Sequence, residues 1–188
     1  HLTGAFPGEA FRWYVDTGPV LERAWAERAG IGWIGKNTCT IDPVDGSFHF
    51  LAAIVTTLAL EPDAPAVQQC GSCTLCIEAC PTDAIVEPFR LDSARCISYQ
   101  TIENRGSIPV ELRESMGALV FGCDICQDVC PFNRHESRAE APRDGELEPR
   151  RENRAPRLGE LARLESVEAF RERFSQSAVR RAKPEGFM

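Results

Sequence analysis

Histidine, methionine and tyrosine are scarce in this chain of 188 residues, which holds three, two and two of them. His1, His49 and His135 stand in no ligand-like setting, so a histidine-built metal site has nothing to start from. Basic charge is scarce as well. Residues 1–130 carry 8 basic and 17 acidic side chains, residues 131–188 carry 13 and 11, and the whole chain has a net charge of −7. That balance excludes a strongly basic nucleic-acid domain. Contacts to nucleic acid are left to local patches, either Arg150, Arg151, Arg154 and Arg157 or Arg180, Arg181 and Lys183. Solvated helix and loop charge explains each group equally well. Long apolar runs are also missing. The longest, residues 48–60 (FHFLAAIVTTLAL), is broken by His49 and two threonines. It falls short of the ~20 residues that a membrane helix needs, so no membrane partner is expected. No charged n-region followed by an apolar h-region opens the chain. Because it starts at His1 and not at methionine, a preceding segment is expected.

Cysteine is what the chain has in quantity. Eight of its nine cysteines fall between residues 70 and 130. Cys70, Cys73, Cys76 and Cys80, with Pro81 after them, follow C-x2-C-x2-C-x3-C-P, the spacing of bacterial ferredoxins, in which the fourth cysteine serves the other cluster. Cys123, Cys126 and Cys130, followed by Pro131, repeat the pattern with one cysteine fewer. Disulfides are disfavoured by the spacing, and structural zinc uses paired CxxC units instead of a four-cysteine run with a trailing proline. Soft thiolates suit the iron of cubane clusters, and two such clusters need eight. Proline steers the residue before it away from helix geometry, so Cys80 and Cys130 can each turn to the opposite cluster. One cluster is therefore assigned Cys70, Cys73, Cys76 and Cys130, and the other Cys80, Cys123 and Cys126. Its fourth ligand is Cys96, the remaining cysteine of the region. Cys39, far upstream, reads as a small buried hydrophobe. Such clusters imply an oxygen-protected, cytoplasmic setting.

Before the cysteines, FRWYV at 11–15 predicts a strand, and VLERAWAERA at 20–29 a helix that Gly30 ends. Gly30, Gly32 and Gly35 imply tight turns or close backbone approach. Residues 38–41 and 47–57 read as two strands of a hairpin across Asp42–Gly46, the second interior to a sheet because it is almost wholly apolar. Residues 82–85 resemble the start of a ferredoxin hairpin. A loop at 105–109 precedes a short helix from Val110 to Met116. Residues 134–157 form a linker, and helical spacing returns over 158–174.

Five stretches, taken in order, resemble the epoxyqueuosine reductase family: YVDTGPVLER (14–23), GWIGKNT (32–38), CGSCTLCIEACPTDAI (70–85), CISYQTIENRGSIP (96–109) and FGCDICQDVCPFN (121–133). The resemblance implies an α+β fold: a partial nitroreductase-like, cobalamin-binding sheet domain (1–62) joined to a ferredoxin-like domain with two 4Fe-4S clusters (63–133). The linker (134–157) and the start of a helical C-terminal region (158–188) would follow. It also implies a cobalamin-dependent oxidoreductase that reduces epoxyqueuosine, at the wobble position of tRNA, to queuosine. An external donor would supply the electrons, the clusters would pass them singly to the corrinoid, and the protein is expected to act as a monomer. Asp16 becomes the proton donor to the opening epoxide oxygen, since a carboxyl desolvated against the corrin face can hold a proton at neutral pH. An Asx-turn before the following helix is the structural alternative. Carried over by motif position, Lys36, Asn37, Thr40, Leu51, Ile54, Arg90 and Ser98 would contact cobalamin, together with Gly122, Cys123, Asp124 and Ile125. With no D-x-H-x-x-G stretch, cobalt would be held base-off. Asn104 and Arg105 would meet the anticodon stem-loop. A corrinoid reductive dehalogenase and a plain two-cluster electron carrier are the alternatives.

Overall fold

The computed structural model describes residues 1–133, 151–153 and 155–187, as a mixture of short helices and three two-stranded antiparallel sheets. After α1 (Leu2–Ala5), β1 (Phe11–Tyr14) leads to α2 (Glu22–Arg28). Helix α2 begins two residues later and ends one residue earlier than the apolar spacing predicts, with Gly30 just past its cap as expected. Gly30 takes φ +71°, its N–H donates to Glu27 O, and the N–H of Ile31 donates to Ala26 O at 3.0 Å. These crossed bonds satisfy the last carbonyls of the helix, and the left-handed residue between them favours glycine.

The predicted hairpin over 38–57 does not form. β2 (Trp33–Ile34) pairs with β3 (Thr40–Ile41), whereas β4 (Ala53–Thr56) pairs with β1 through Phe11↔Thr56 and Tyr14↔Ala53. The Asp42–Gly46 turn is present, with Asp42 Oδ1 accepting from the N–H groups of Val44 and Asp45, but it does not align the strands on either side. Gly32 decides the pairing locally, because a Cβ there would strike the backbone of Ile41. Nor is β4 interior. It forms one edge of a two-stranded ribbon, and Ile54 and Val55 are exposed.

Next come α3 (Leu75–Glu78), the hairpin of β5 (Ile85–Glu87) and β6 (Arg90–Leu91), α4 (Ile97–Ile102), α5 (Val110–Met116) and α6 (Ile125–Asp128). Helix α5 has the bounds its sequence predicts. The helical pattern over 158–174 is split into α7 (Leu158–Leu161) and α8 (Val167–Arg173), because Ser166 caps α8 by accepting from Ala169 N–H at 3.1 Å. A 3-10 turn (Ala178–Ala182) and α9 (Lys183–Phe187) close the chain. Much of the linker, including Arg150 and Arg154, lies outside the described residues.

Three small cores hold these elements. Trp33, Ile41 and Cys130 join β2 and β3 to the second cysteine run, with Phe132 edge-on to Trp33 at 4.8 Å. Ile97, Leu112 and Met116 pack α4 on α5. Leu161, Phe170 and Phe174 build the C-terminal unit. Among the described residues no helix is long and apolar enough to cross a membrane.

Candidate metal centres

The two cysteine runs fold alike. In each, a single helical turn, α3 or α6, carries the third cysteine of the local pattern, Cys76 or Cys126, and ends two residues before the cysteine that precedes proline. Cys70 has no counterpart in the second run, where Val120 stands three residues before Cys123.

The turns lie against each other and divide the thiols into two groups. Cys70, Cys73, Cys76 and Cys130 line one cavity of about 40 Å³, shared with Lys36, Ile41 and Phe132. Cys80, Cys96, Cys123 and Cys126 line a second, of about 230 Å³. Cys80 and Cys130 each face the cavity of the other run. Among the described residues no three Cys, His, Asp or Glu side chains close on a single ion. Each set is arranged around a volume, as a multi-iron cluster requires.

Several contacts hold the first cavity. The Trp33 indole N–H donates to Cys70 Sγ at 3.4 Å. Lys36 Nζ donates to Gly71 O and Cys73 O at 2.7 and 2.8 Å, which pins the loop between those cysteines. Burial raises the Cys76 thiol to about 11, with the neighbouring cysteines adding to the shift, and burial also raises Cys130. Such thiols are protonated at neutral pH and give up a proton when they ligate iron.

The second cavity is assembled from more distant elements. Ala84 N–H donates to Cys80 Sγ at 3.2 Å. Cys96 follows a 3-10 turn (Ser93–Arg95) capped by Asp92, and Arg95 Nε donates to Thr82 O at 2.8 Å. Burial raises Cys123. The buried Asn133 ties the second run to residue 47. Its Oδ1 accepts from Ser47 N–H at 2.7 Å, and its Nδ2 donates to Ser47 Oγ and Gln127 O.

Cys39 is not the isolated hydrophobe that its upstream position suggests. It lines the second cavity as a fifth thiol and forms a hydrogen bond with Cys126. That bond lowers the pKa of Cys39 against the opposing effect of burial and raises that of Cys126. The pairing of β2 with β3 brings it there, which the sequence does not signal.

The predicted corrin contacts are dispersed. Asn37, Ser98, Cys123, Asp124 and Ile125 line the second cavity, and Asn37 lines the first as well. Asn37 is buried, and its Nδ2 donates to Cys126 O at 3.4 Å. Lys36 spends its ammonium on the first-cavity loop. Thr40 is buried, and its hydroxyl has no hydrogen-bond partner. Leu51 and Ile54 line a separate apolar groove of about 390 Å³ with Trp25 and Ala26. Arg90 is exposed and paired with Glu87 at 2.7 Å. Gly122 takes φ +75°, and its N–H donates to Thr101 Oγ1 at 2.9 Å.

Asp16 follows β1 with φ +59°. Its side chain is 58% exposed, so the desolvation expected of it is absent, and it is ion-paired with Arg181. Arg181 Nε also donates to Glu103 Oε1 at 2.6 Å, and chiefly that bond raises the pKa of the guanidinium. Arg105 donates to the carbonyls of Ile102, Arg181 and Ala182 at 2.7, 3.1 and 2.9 Å, clamping the C-terminal segment to the end of α4. Asn104 donates to Gln100 of α4 and accepts from Gly106 N–H in its own loop.

Two cavities that divide the eight clustered thiols four and four, with crossed fourth cysteines, have the arrangement of a double-cluster iron–sulfur domain, and the family model described as "4Fe-4S double cluster binding domain" matches residues 69–133. More particularly, the chain is a homologue of the epoxyqueuosine reductases. It is 50% identical to that of Synechocystis sp. over 92% of its own length. A crystal structure of selenomethionine-labelled epoxyqueuosine reductase matches 99% of the chain at 37% identity with a TM-score of 0.86. Another, bound to a tRNA-Tyr epoxyqueuosine-modified stem-loop, matches 98% at 34% identity with a TM-score of 0.80. A third, from Bacillus subtilis, has its aspartate catalytic loop swung out of the active site, and matches 98% at 35% identity with a TM-score of 0.82. A catabolic reductive dehalogenase shares the fold over 68% of the chain at 21% identity, with a TM-score of 0.51. The chain spans 59% of the Synechocystis relative and about half of the three epoxyqueuosine reductase structures.

Proposed function

We propose that this chain is the electron-delivering and proton-donating part of an enzyme that reduces epoxyqueuosine in tRNA to queuosine. The epoxide takes up two electrons and two protons, leaving an alkene and water. The observation that carries the reading is the pair of four-thiol cavities, in a chain homologous to epoxyqueuosine reductases over nearly all of its length. Residues 1–62 belong, in this reading, to a nitroreductase-like cobalamin domain, and the exposed apolar faces of β1 and β4 suit a sheet that continues beyond them. Residues 63–133 are the ferredoxin-like unit, 134–157 the linker and 158–188 the helical C-terminal region. The setting is cytoplasmic, with an external electron donor and a monomeric enzyme.

The residues present suit a corrinoid beside the second cavity. Asn37, Ser98 and Asp124 gather there with Ile125 and offer polar contacts to an amide-bearing macrocycle, while the orphaned hydroxyl of Thr40 lies buried outside that lining. Gly122 to Ile125, Lys36, Leu51, Ile54 and Arg90 complete the proposed contacts. When bound, cobalamin would supply the low-valent cobalt chemistry that opens the epoxide. The second cluster, held by Cys80, Cys96, Cys123 and Cys126, is then the one nearer the acceptor. Cys70, Cys73, Cys76 and Cys130 would hold the first, which would supply electrons to the second. Trp33 donates a hydrogen bond to Cys70 Sγ, which would ligate the first cluster, and such bonds would raise its potential. Asp16 hands a proton to the epoxide oxygen, and Asn104 and Arg105 lie on the side that meets the stem-loop. The aspartate catalytic loop of the Bacillus subtilis relative supports the role given to Asp16.

The test uses full-length protein purified anaerobically, a stem-loop carrying epoxyqueuosine and nucleoside mass spectrometry. The expected result is conversion to queuosine by protein with a corrinoid absorption spectrum, and loss of conversion in Asp16→Asn. Iron and sulfide without bound corrinoid would instead show an electron carrier. Turnover of an aryl halide in place of the stem-loop would show a dehalogenase.

A further inference from the structure

Asp16 and Arg181 are 165 residues apart and meet in an ion pair. Arg181 reaches Glu103 through Nε and Asp16 through Nη1, so one guanidinium joins the loop after β1, the end of α4 and the 3-10 turn at Ala178–Ala182. Arg105 holds that turn in place through the carbonyls of Arg181 and Ala182. Arg180, Arg181 and Lys183 are all exposed on this short segment.

A carboxylate engaged with a guanidinium has no proton to give. If Asp16 is the donor, it must leave Arg181 before the epoxide opens. A polyanionic substrate offers Arg181 a replacement, since a phosphodiester matches the guanidinium fork as well as a carboxylate does.

We propose that Arg181 is a positioning residue. It holds the Asp16 carboxylate beside Glu103 until a phosphodiester of the incoming RNA stem-loop takes the guanidinium. Asp16, released, then accepts a proton from solvent and carries it to the epoxide oxygen. The inference rests on the proposed role of Asp16. It explains why a proton donor stands outside any desolvating pocket in the chain, and it couples RNA engagement to the availability of the proton.

The test measures hydrogen–deuterium exchange of the segment 14–19 in full-length, cluster-loaded protein, with and without an unmodified anticodon stem-loop, alongside steady-state kinetics. Stem-loop addition is expected to raise exchange in this segment severalfold. Arg181→Gln should show that higher level without RNA. Its KM for the stem-loop should rise about tenfold, as loss of one charged phosphate contact implies, with a smaller change in kcat. Arg181→Lys should recover part of the KM and little of the protection, because it cannot grip two carboxylates at once. Wild-type exchange in Arg181→Gln, or loosening of the loop with KM unaltered, would overturn the proposal. Full activity of Asp16→Asn would remove the role of Asp16 and leave the measured effect of Arg181 on the loop standing.

Discussion

The two thiol cavities look equivalent on paper and are built differently. The first draws three of its cysteines from one run and is small, pinned by Lys36 and supported by the Trp33 core. The second collects thiols from three separate stretches, is several times larger, and has a fifth thiol, Cys39, in contact with Cys126. A tight loop fixes its own ligand geometry. A cavity collected from distant elements depends on the packing that brings them together, here Asn133 against Ser47 and α4 against α5. The first should therefore fail only when its own loop or core is broken, and the second whenever those packings loosen.

The largest effect expected in breaking this comparison is at Cys130. It sits in the second run and faces the first cavity, so Cys130→Ala should cost the first cluster and spare the second, with total iron falling from about eight to about four. Trp33→Ala should follow. Emptying that buried site destabilises the fold by about 3–5 kcal/mol. Loss of the indole N–H should lower the potential of the first cluster and leave the second where it was, as read by redox-poised electron paramagnetic resonance. Lys36→Met removes two charge-assisted bonds at a half-buried position. It should cost about 1–2 kcal/mol in chemical denaturation, with exchange rising in residues 70–74 only.

A pH effect sharpens the contrast from the other side. With Cys76 held up at about 11, iron binding to the apoprotein must release its proton at neutral pH. Below that value, each unit of pH rise should favour ligation by this thiol about tenfold, visible as iron affinity climbing between pH 7 and 9. The smallest effect belongs to Cys39→Ala, which should keep both clusters, because four other thiols line the same cavity. Loss of iron from that variant would make Cys39 a ligand.

The grouping of the eight thiols was largely legible, because proline after the last cysteine and the x2-x2-x3 rhythm are local signals of where each sulfur points. The ends of α5 and the glycine stop of α2 were legible for the same reason. The strand pairing was not. Strands of two residues carry too little pattern to name a partner, and a turn at Asp42–Gly46 signals a reversal without saying which strands it joins. The place of Cys39 beside Cys126 was not legible, because only that pairing brings it there. The bond of Asp16 with Arg181 spans nearly the whole chain and has no local signature.

Iron and acid-labile sulfide, measured with the electron paramagnetic resonance of each reduced cluster, test the crossed pair directly in Cys96→Ala of the full-length protein. The arrangement predicts about four iron per chain, with the first-cluster signal unchanged and the second absent. Retention of about eight iron, or loss of the first-cluster signal in place of the second, would contradict it.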